Sequence, residues 1–403
     1  MFSLNRIHII LFLLFLNNGW AQDNSRGQFP RLLSNSFIHV MPGYIHYPFT
    51  QDHLEPGRTI EEIKIRHGAA RIVLGHEFSE YISLQFGVMR PVKWTEFYGW
   101  DGSTKGRGTA WINIWSLSGM LSLPLTDKLS AYGEVGLSSL SRNGFDYRGS
   151  PMIRDANYLD IMCGLGANYK LSDTWDASIN FSYLPPRKSE RQPYTYLISL
   201  GAKYNLRKLS DDKVAIHNNS EFYFPKQFIQ AGFAHDFIGY KVNSWFVWTE
   251  QSKAGIPIFW EGDVLTKNGF TCSYQRNVYH GKKIFSLDWG GSFSFWKSQQ
   301  NNTSIVALSV FPLLRFWYFR RPLFDMYFNY SVAGPSFITP VLIDGYDTGK
   351  HFTFQDFLGI GVFLGKHRKL NAELKIIHYS NGGMFASNPG VDVPLMLNFG
   401  YAF

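Results

Sequence analysis

Only 17% of the 403 residues are charged, another 17% are aromatic, and 37 are glycine, yet mean hydropathy is −0.15. Beyond the N-terminus no window of eighteen apolar residues occurs, so no transmembrane helix is expected. The net charge of +8 comes from scattered Lys and Arg with no nucleic-acid motif, so basic loops facing phosphate-bearing lipid head groups fit better than a nucleic-acid partner.

The first 21 residues read as a secretory signal: Arg6 supplies a positive start, 9–16 an apolar run too short to span a membrane, and Gly19-Trp20-Ala21 a small-residue approach to cleavage. Within an N-terminal barrel expected over 22–206, residues 22–35 are polar and read as a periplasmic lead-in, and from there to 206 the text is strands and turns. Leu159, Ile161, Cys163, Leu165 and Ala167 alternate with Asp160, Met162, Gly164 and Gly166; Ile179, Phe181 and Tyr183 alternate with Ser178, Asn180 and Ser182. One face is apolar and the other small or polar, as expected for lipid outside and a packed lumen inside. Short turns at 125–129 and 171–175 contrast with longer polar loops at 91–107, 140–156 and 185–193, the asymmetry of an outer-membrane barrel. About eight strands fit. This half resembles the small OmpA-type barrels in pattern and carries no motif of chemistry. Gly75-His76-Glu77 has no second metal ligand at helical or strand spacing, and neither cysteine, Cys163 or Cys272, has a ligand pattern beside it. No metal or cofactor is expected.

Residues 207–225 are a polar, non-alternating linker. From 226 to 403 the alternation resumes, for example Phe285, Leu287, Trp289, Gly291 and Phe293 against Ser286, Asp288, Gly290 and Ser292. The expected fold is therefore all-β: two tandem antiparallel transmembrane β-barrels of about eight strands each. Eight strands enclose an interior that side chains can fill, and the Gly and Ser of the inner faces suit that better than one sixteen-strand channel.

Chemistry concentrates near the end of the chain, in Ile376-Ile377-His378-Tyr379-Ser380-Asn381-Gly382-Gly383. On a strand His378 and Ser380 share a face, with Cα atoms roughly 6.6 Å apart. A Ser beside a base, with an acid to orient the base, is the signature of an activated nucleophile. The pair continues the apolar face Ala372, Leu374, Ile376, while Glu373 and Lys375 lie on the other. The final strand sets Val393, Leu395, Leu397, Phe399, Tyr401 and Phe403 on one face. By strict alternation Asp392 then falls on the lumen face, although Pro394 interrupts the ladder beside it.

The run His-x-Ser-Asn, a short loop, Asn388-Pro389-Gly390-Val391-Asp392 and a strand closing on an aromatic resembles the PagL family of lipid A 3-O-deacylases; so does Phe352-Thr353-Phe354-Gln355-Asp356-Phe357-Leu358-Gly359. The resemblance is sharp over 351–403 and does not reach the first half. It implies an outer-membrane esterase in which His378 is the base, Ser380 the nucleophile, and Asp392 the acid where the family usually has Glu. Asn388 falls where the family has an oxyanion-hole Asn, and the Gly382 and Gly383 amides are further candidates. It also implies lipopolysaccharide as substrate, a site at the outer leaflet of a Gram-negative outer membrane, outer-membrane lipids as surroundings, and the barrel-insertion machinery as reader of the terminal Phe403. Homodimerisation is left open. The competing reading is a non-catalytic barrel, an anchor, adhesin or small porin, with His378 and Ser380 as rim residues. A short turn at 365–369 sends the strand that follows outward, placing His378 and Ser380 at the outer rim on a face expected to open onto lipid.

Overall fold

A computed structural model describes residues 26–100, 103–248, 259–260, 262–385 and 387–403; the predicted signal segment lies outside the described residues. The described residues divide into two compact units, one within 35–207 with 382–388, the other within 26–34, 208–381 and 389–403. Of the stretch 22–35, read from the sequence as a lead-in, the described residues 26–34 thus group with the second unit.

In the first unit eight strands form a closed antiparallel meander: β1 (Ser36–His46), β2 (Gly68–Glu77), β3 (Ile82–Pro91), β4 (Ser103–Pro124), β5 (Leu129–Asn143), β6 (Ala156–Lys170), β7 (Trp175–Leu184) and β8 (Thr195–Leu206), with β8 paired back to β1. Two short strands, Ile60–Lys64 and Thr95–Trp100, extend the sheet beside β4. The expected alternation is realised: Leu117, Leu137, Leu159, Leu165, Ile179 and Leu200 are exposed. The buried face holds an Arg71–Glu134 ion pair whose carboxylate also accepts from Ser118, so the charges that enter the lumen are compensated there.

The second unit has its own ring of eight: β9 (Gln227–His235), β10 (Val264–His280), β11 (Phe285–Ser298), β12 (Ser304–Arg321), β13 (Phe324–Thr339), β14 (Phe352–Leu364), β15 (Leu370–Ser380) and β16 (Val391–Ala402), closed by β9 against β16. The predicted linker contains helix α1 (Asp211–Asn218), and helix α2 (Lys241–Phe246) lies in the connection from β9 to β10. Connections at one end are short, at 281–284, 322–323 and 365–369; those at the other include 236–263, 340–351 and 381–390. Phe270, Phe293, Leu308, Phe328, Ile360, Leu374 and Phe399 form the exposed lipid face. The lumen is filled in layers. Arg315 pairs with Asp288 and donates to Gln275. Above that, Glu373 accepts from Lys375 at 2.8 Å and from the Tyr327 hydroxyl at 2.6 Å. Toward the long connections the filling turns apolar, with Val264, Trp296, Ile305, Ile338 and Val393 in one buried cluster.

Strand β9 is the shortest of the ring and ends at His235. Past its end, β10 and β16 meet directly and pair in parallel, Val264 opposite Val391 and Leu265 opposite Asp392. That contact positions the residues described next.

Candidate active site

Three adjacent strands bring the chemistry into one row. His378 on β15 stands opposite Asp356 on β14 and opposite Asp392 on β16, while Ser380 stands opposite Phe354. Residues directly opposite in an antiparallel pair project to the same face. His378 Nδ1 lies 2.7 Å from Asp392 Oδ1. A carboxylate only accepts, so Nδ1 carries the hydrogen and donates, and Nε2 is the basic nitrogen of the neutral ring. Ser380 follows on the same face of β15, two residues along.

The placement of Asp392 corrects the face assigned by strict alternation. Between the pairs Lys375–Met396 and Ile377–Val393 the register shifts, so Ile376 alone is opposed by Pro394 and Leu395 together. This is a β-bulge, and one extra residue reverses the phase of the strand. On the C-terminal side Leu397, Phe399 and Tyr401 face outward; on the N-terminal side Val391 and Val393 belong to the interior cluster, which turns Asp392 outward onto His378. Proline has no N–H to give to a ladder, so the bulge accommodates Pro394.

A second correction concerns exposure. The face of β15 that is open at Leu370 and Leu374 closes from Ile376 onward: His378 is 3% exposed, Ser380 6% and Asp392 5%. Ile376 is covered by Val242 and Phe246 of α2 together with Tyr330, Leu358 and Leu395. The Asn243 amide holds the helix to the Val393 carbonyl at 2.8 Å. Helix α2 thus covers the face at Ile376, next to His378, and the row itself is buried rather than bare to lipid.

The β9–β10 connection also reaches the acid. The Gly262 N–H donates to Asp392 Oδ2 at 3.1 Å. Gly390, at φ 70°, allows a backbone approach that a Cβ would obstruct, since it would stand 3.0 Å from His378 Cε1. Beside them, partial burial raises the Asp263 carboxyl above its ordinary range and the Asp392 carboxylate adds to the shift. Asp356, on the other flank of His378, accepts from the Ala333 N–H. Gly262 and Asp356 were missed as site residues: their closeness is set by strand register, which alternation within each strand does not reveal. The oxyanion candidates Gly382 and Gly383 adopt φ of 63° and 69°; with Asn388 they lie in the segment 382–388 that groups with the first unit. Among the described residues no group of His, Cys, Asp and Glu could hold a metal ion.

Comparison with known proteins agrees with this division. The model of the lipid A 3-O-deacylase (PagL) family matches residues 268–402, and that of the OmpA-like transmembrane domain matches residues 72–210. The lipid A deacylase PagL of Bordetella bronchiseptica is 25% identical over 158 residues, 36% of this chain and 84% of that protein. Among solved structures, the outer membrane enzyme PagL is 15% identical, over 44% of this chain and 99% of that one, with a TM-score of 0.30. The N-terminal β-barrel domain of Pseudomonas aeruginosa OprF is 12% identical, over 43% and 98%, with a TM-score of 0.27. The chain therefore joins an OmpA-like transmembrane domain to a PagL lipid A deacylase domain, both outer-membrane barrel families of Gram-negative bacteria.

Proposed function

We propose that the second barrel is a serine esterase that removes the 3-O-linked acyl chain of lipid A at the outer leaflet, and that His378, Ser380 and Asp392 are its base, nucleophile and acid. The observation that carries this reading is the 2.7 Å bond from His378 Nδ1 to Asp392, on the strand face that also carries Ser380. Asp392 fixes the tautomer and orientation of the imidazole and stabilises the imidazolium that forms. Nε2 takes the Ser380 hydroxyl proton as Oγ attacks the ester carbonyl. The candidate donors to the tetrahedral oxyanion are the Gly382 and Gly383 amides, which follow Ser380 and Asn381 in the chain, and the Asn388 side chain, an oxyanion-hole donor being worth about 2.7–4 kcal/mol. Collapse of the intermediate expels the sugar 3-hydroxyl, which takes the proton from His378. Water, deprotonated by the same base, then frees the fatty acid from Ser380.

The buried row supports this reading, because charge interactions strengthen where water is excluded. The test is a mass spectrum of lipid A after incubation with the purified protein. Loss of the 3-O acyl chain is expected, and loss of none at high enzyme loading would favour a non-catalytic barrel.

A further inference from the structure

We infer that Gly262 is a positioning residue for deacylation: its backbone amide holds the second oxygen of Asp392, and the absence of a side chain there leaves the acid room to meet His378. The inference rests on the catalytic reading of Asp392 above. Gly262 precedes the segment matched by the deacylase family, 268–402, and belongs to the β9–β10 connection.

The geometry is specific. Asp392 has two oxygens and both are engaged, Oδ1 by His378 Nδ1 at 2.7 Å and Oδ2 by the Gly262 N–H at 3.1 Å. Two donors on opposite oxygens fix the plane of the carboxylate as well as its position, so the oxygen facing His378 cannot swing away. The Gly262 amide is brought there by backbone pairing. The Asp263 N–H donates to the Pro389 carbonyl at 2.6 Å, the Val264 N–H donates to the Gly390 carbonyl at 3.2 Å, and Leu265 stands opposite Asp392. This pairing exists only because β9 stops at His235 and lets β10 reach β16.

The space is equally restrictive. A Cβ on Gly262 would stand 3.0 Å from both Asp392 Cγ and Asp392 N, and 3.1 Å from Oδ1. A Cβ on Gly390 would stand 3.1 Å from the Gly262 Cα. Two glycines therefore pass each other with the acid and the imidazole packed against them. An acid one methylene shorter than the usual Glu is held at its partner by a strap from a distant part of the chain.

The experiment uses the full-length protein in detergent micelles, with acyl release from lipid A measured for wild type, Ser380→Ala, Gly262→Ala, Asp392→Asn and the Gly262→Ala/Asp392→Asn double variant. Gly262→Ala is expected to lower kcat about 10–100-fold with KM changed less than about twofold, because the acid is displaced while the lipid surface is untouched. In the Asp392→Asn background the same change is expected to cost less than about twofold more, as required if Gly262 acts through Asp392. Wild-type turnover in Gly262→Ala, or an equal loss in both backgrounds, would overturn the inference. Should Gly262→Ala fail to fold, the Gly262 amide is followed by NMR in otherwise native protein. Its proton resonance is expected to move upfield and lose exchange protection in Asp392→Ala but not in Ser380→Ala, and an unmoved resonance in Asp392→Ala would overturn the inference. An inert wild type sinks the catalytic reading and this inference with it. An active wild type, an inactive Ser380→Ala and an unaffected Gly262→Ala would sink this inference alone.

Discussion

Replacing Asp392 by Asn asks more of this site than the loss of one charge. The carboxylate accepts on both sides, from His378 Nδ1 at 2.7 Å and from the Gly262 N–H at 3.1 Å. An amide of the same shape accepts on one side only and donates on the other. If its oxygen faces His378, its NH2 meets the Gly262 N–H, leaving two buried donors opposed at a cost of about 1–3 kcal/mol for each unsatisfied group. If its oxygen faces Gly262, its NH2 meets Nδ1, the imidazole hydrogen moves to Nε2, and the base is lost. The amide therefore favours the unproductive tautomer, as in serine proteases, where the equivalent change lowers kcat by about 10⁴-fold. We expect Asp392→Asn to lower kcat for lipid A deacylation by about 10³–10⁴-fold, read by mass spectrometry of the released lipid A. The folded barrel should be retained, seen as a heat-dependent shift in electrophoretic mobility. A folded Asp392→Asn variant within about tenfold of wild type would refute the two-sided role of the carboxylate.

Ser380→Ala and His378→Asn should each abolish deacylation while the protein still inserts, since the ladder of β15 uses only their backbone; near-normal turnover in either would remove that residue from the proposed mechanism. Gly390→Ala places a Cβ at φ 70° and 3.0 Å from His378 Cε1. It should cost about 1–2 kcal/mol of stability by urea unfolding and about 10²-fold in kcat through a displaced ring; an unchanged rate would show that the ring tolerates the crowding. Asp288→Ala strands the buried Arg315 guanidinium in the lumen, away from the row around His378. It should destabilise the barrel by about 3–5 kcal/mol while the folded fraction keeps its specific activity, and unfolding at the wild-type urea midpoint would contradict that. Finally, residues 208–403 behind a signal peptide should insert as an active barrel, given that the second ring closes on itself; a fragment rescued only by co-expression of the first half would argue for interdependent barrels.

How much of this was legible in the sequence follows from the range of each interaction. Alternation is a property of a single strand, so the lipid and lumen faces, the two rings and the shared face of His378 and Ser380 could be read directly from residue order. The partner of His378 could be named only by resemblance, because strict alternation put Asp392 on the wrong face. The bulge that turns it outward is visible only once β15 and β16 are in register, with Ile376 opposite both Pro394 and Leu395. Pro394 marked the spot without giving the direction. Burial was likewise undecided, since Val242, Phe246 and Ile376 meet only when the β9–β10 connection folds back. The Gly262 amide lies 130 residues from the acid that it holds. No local pattern links two such positions; they meet because a short first strand leaves β10 and β16 free to pair, and backbone pairing of that kind is decided by the closed ring as a whole.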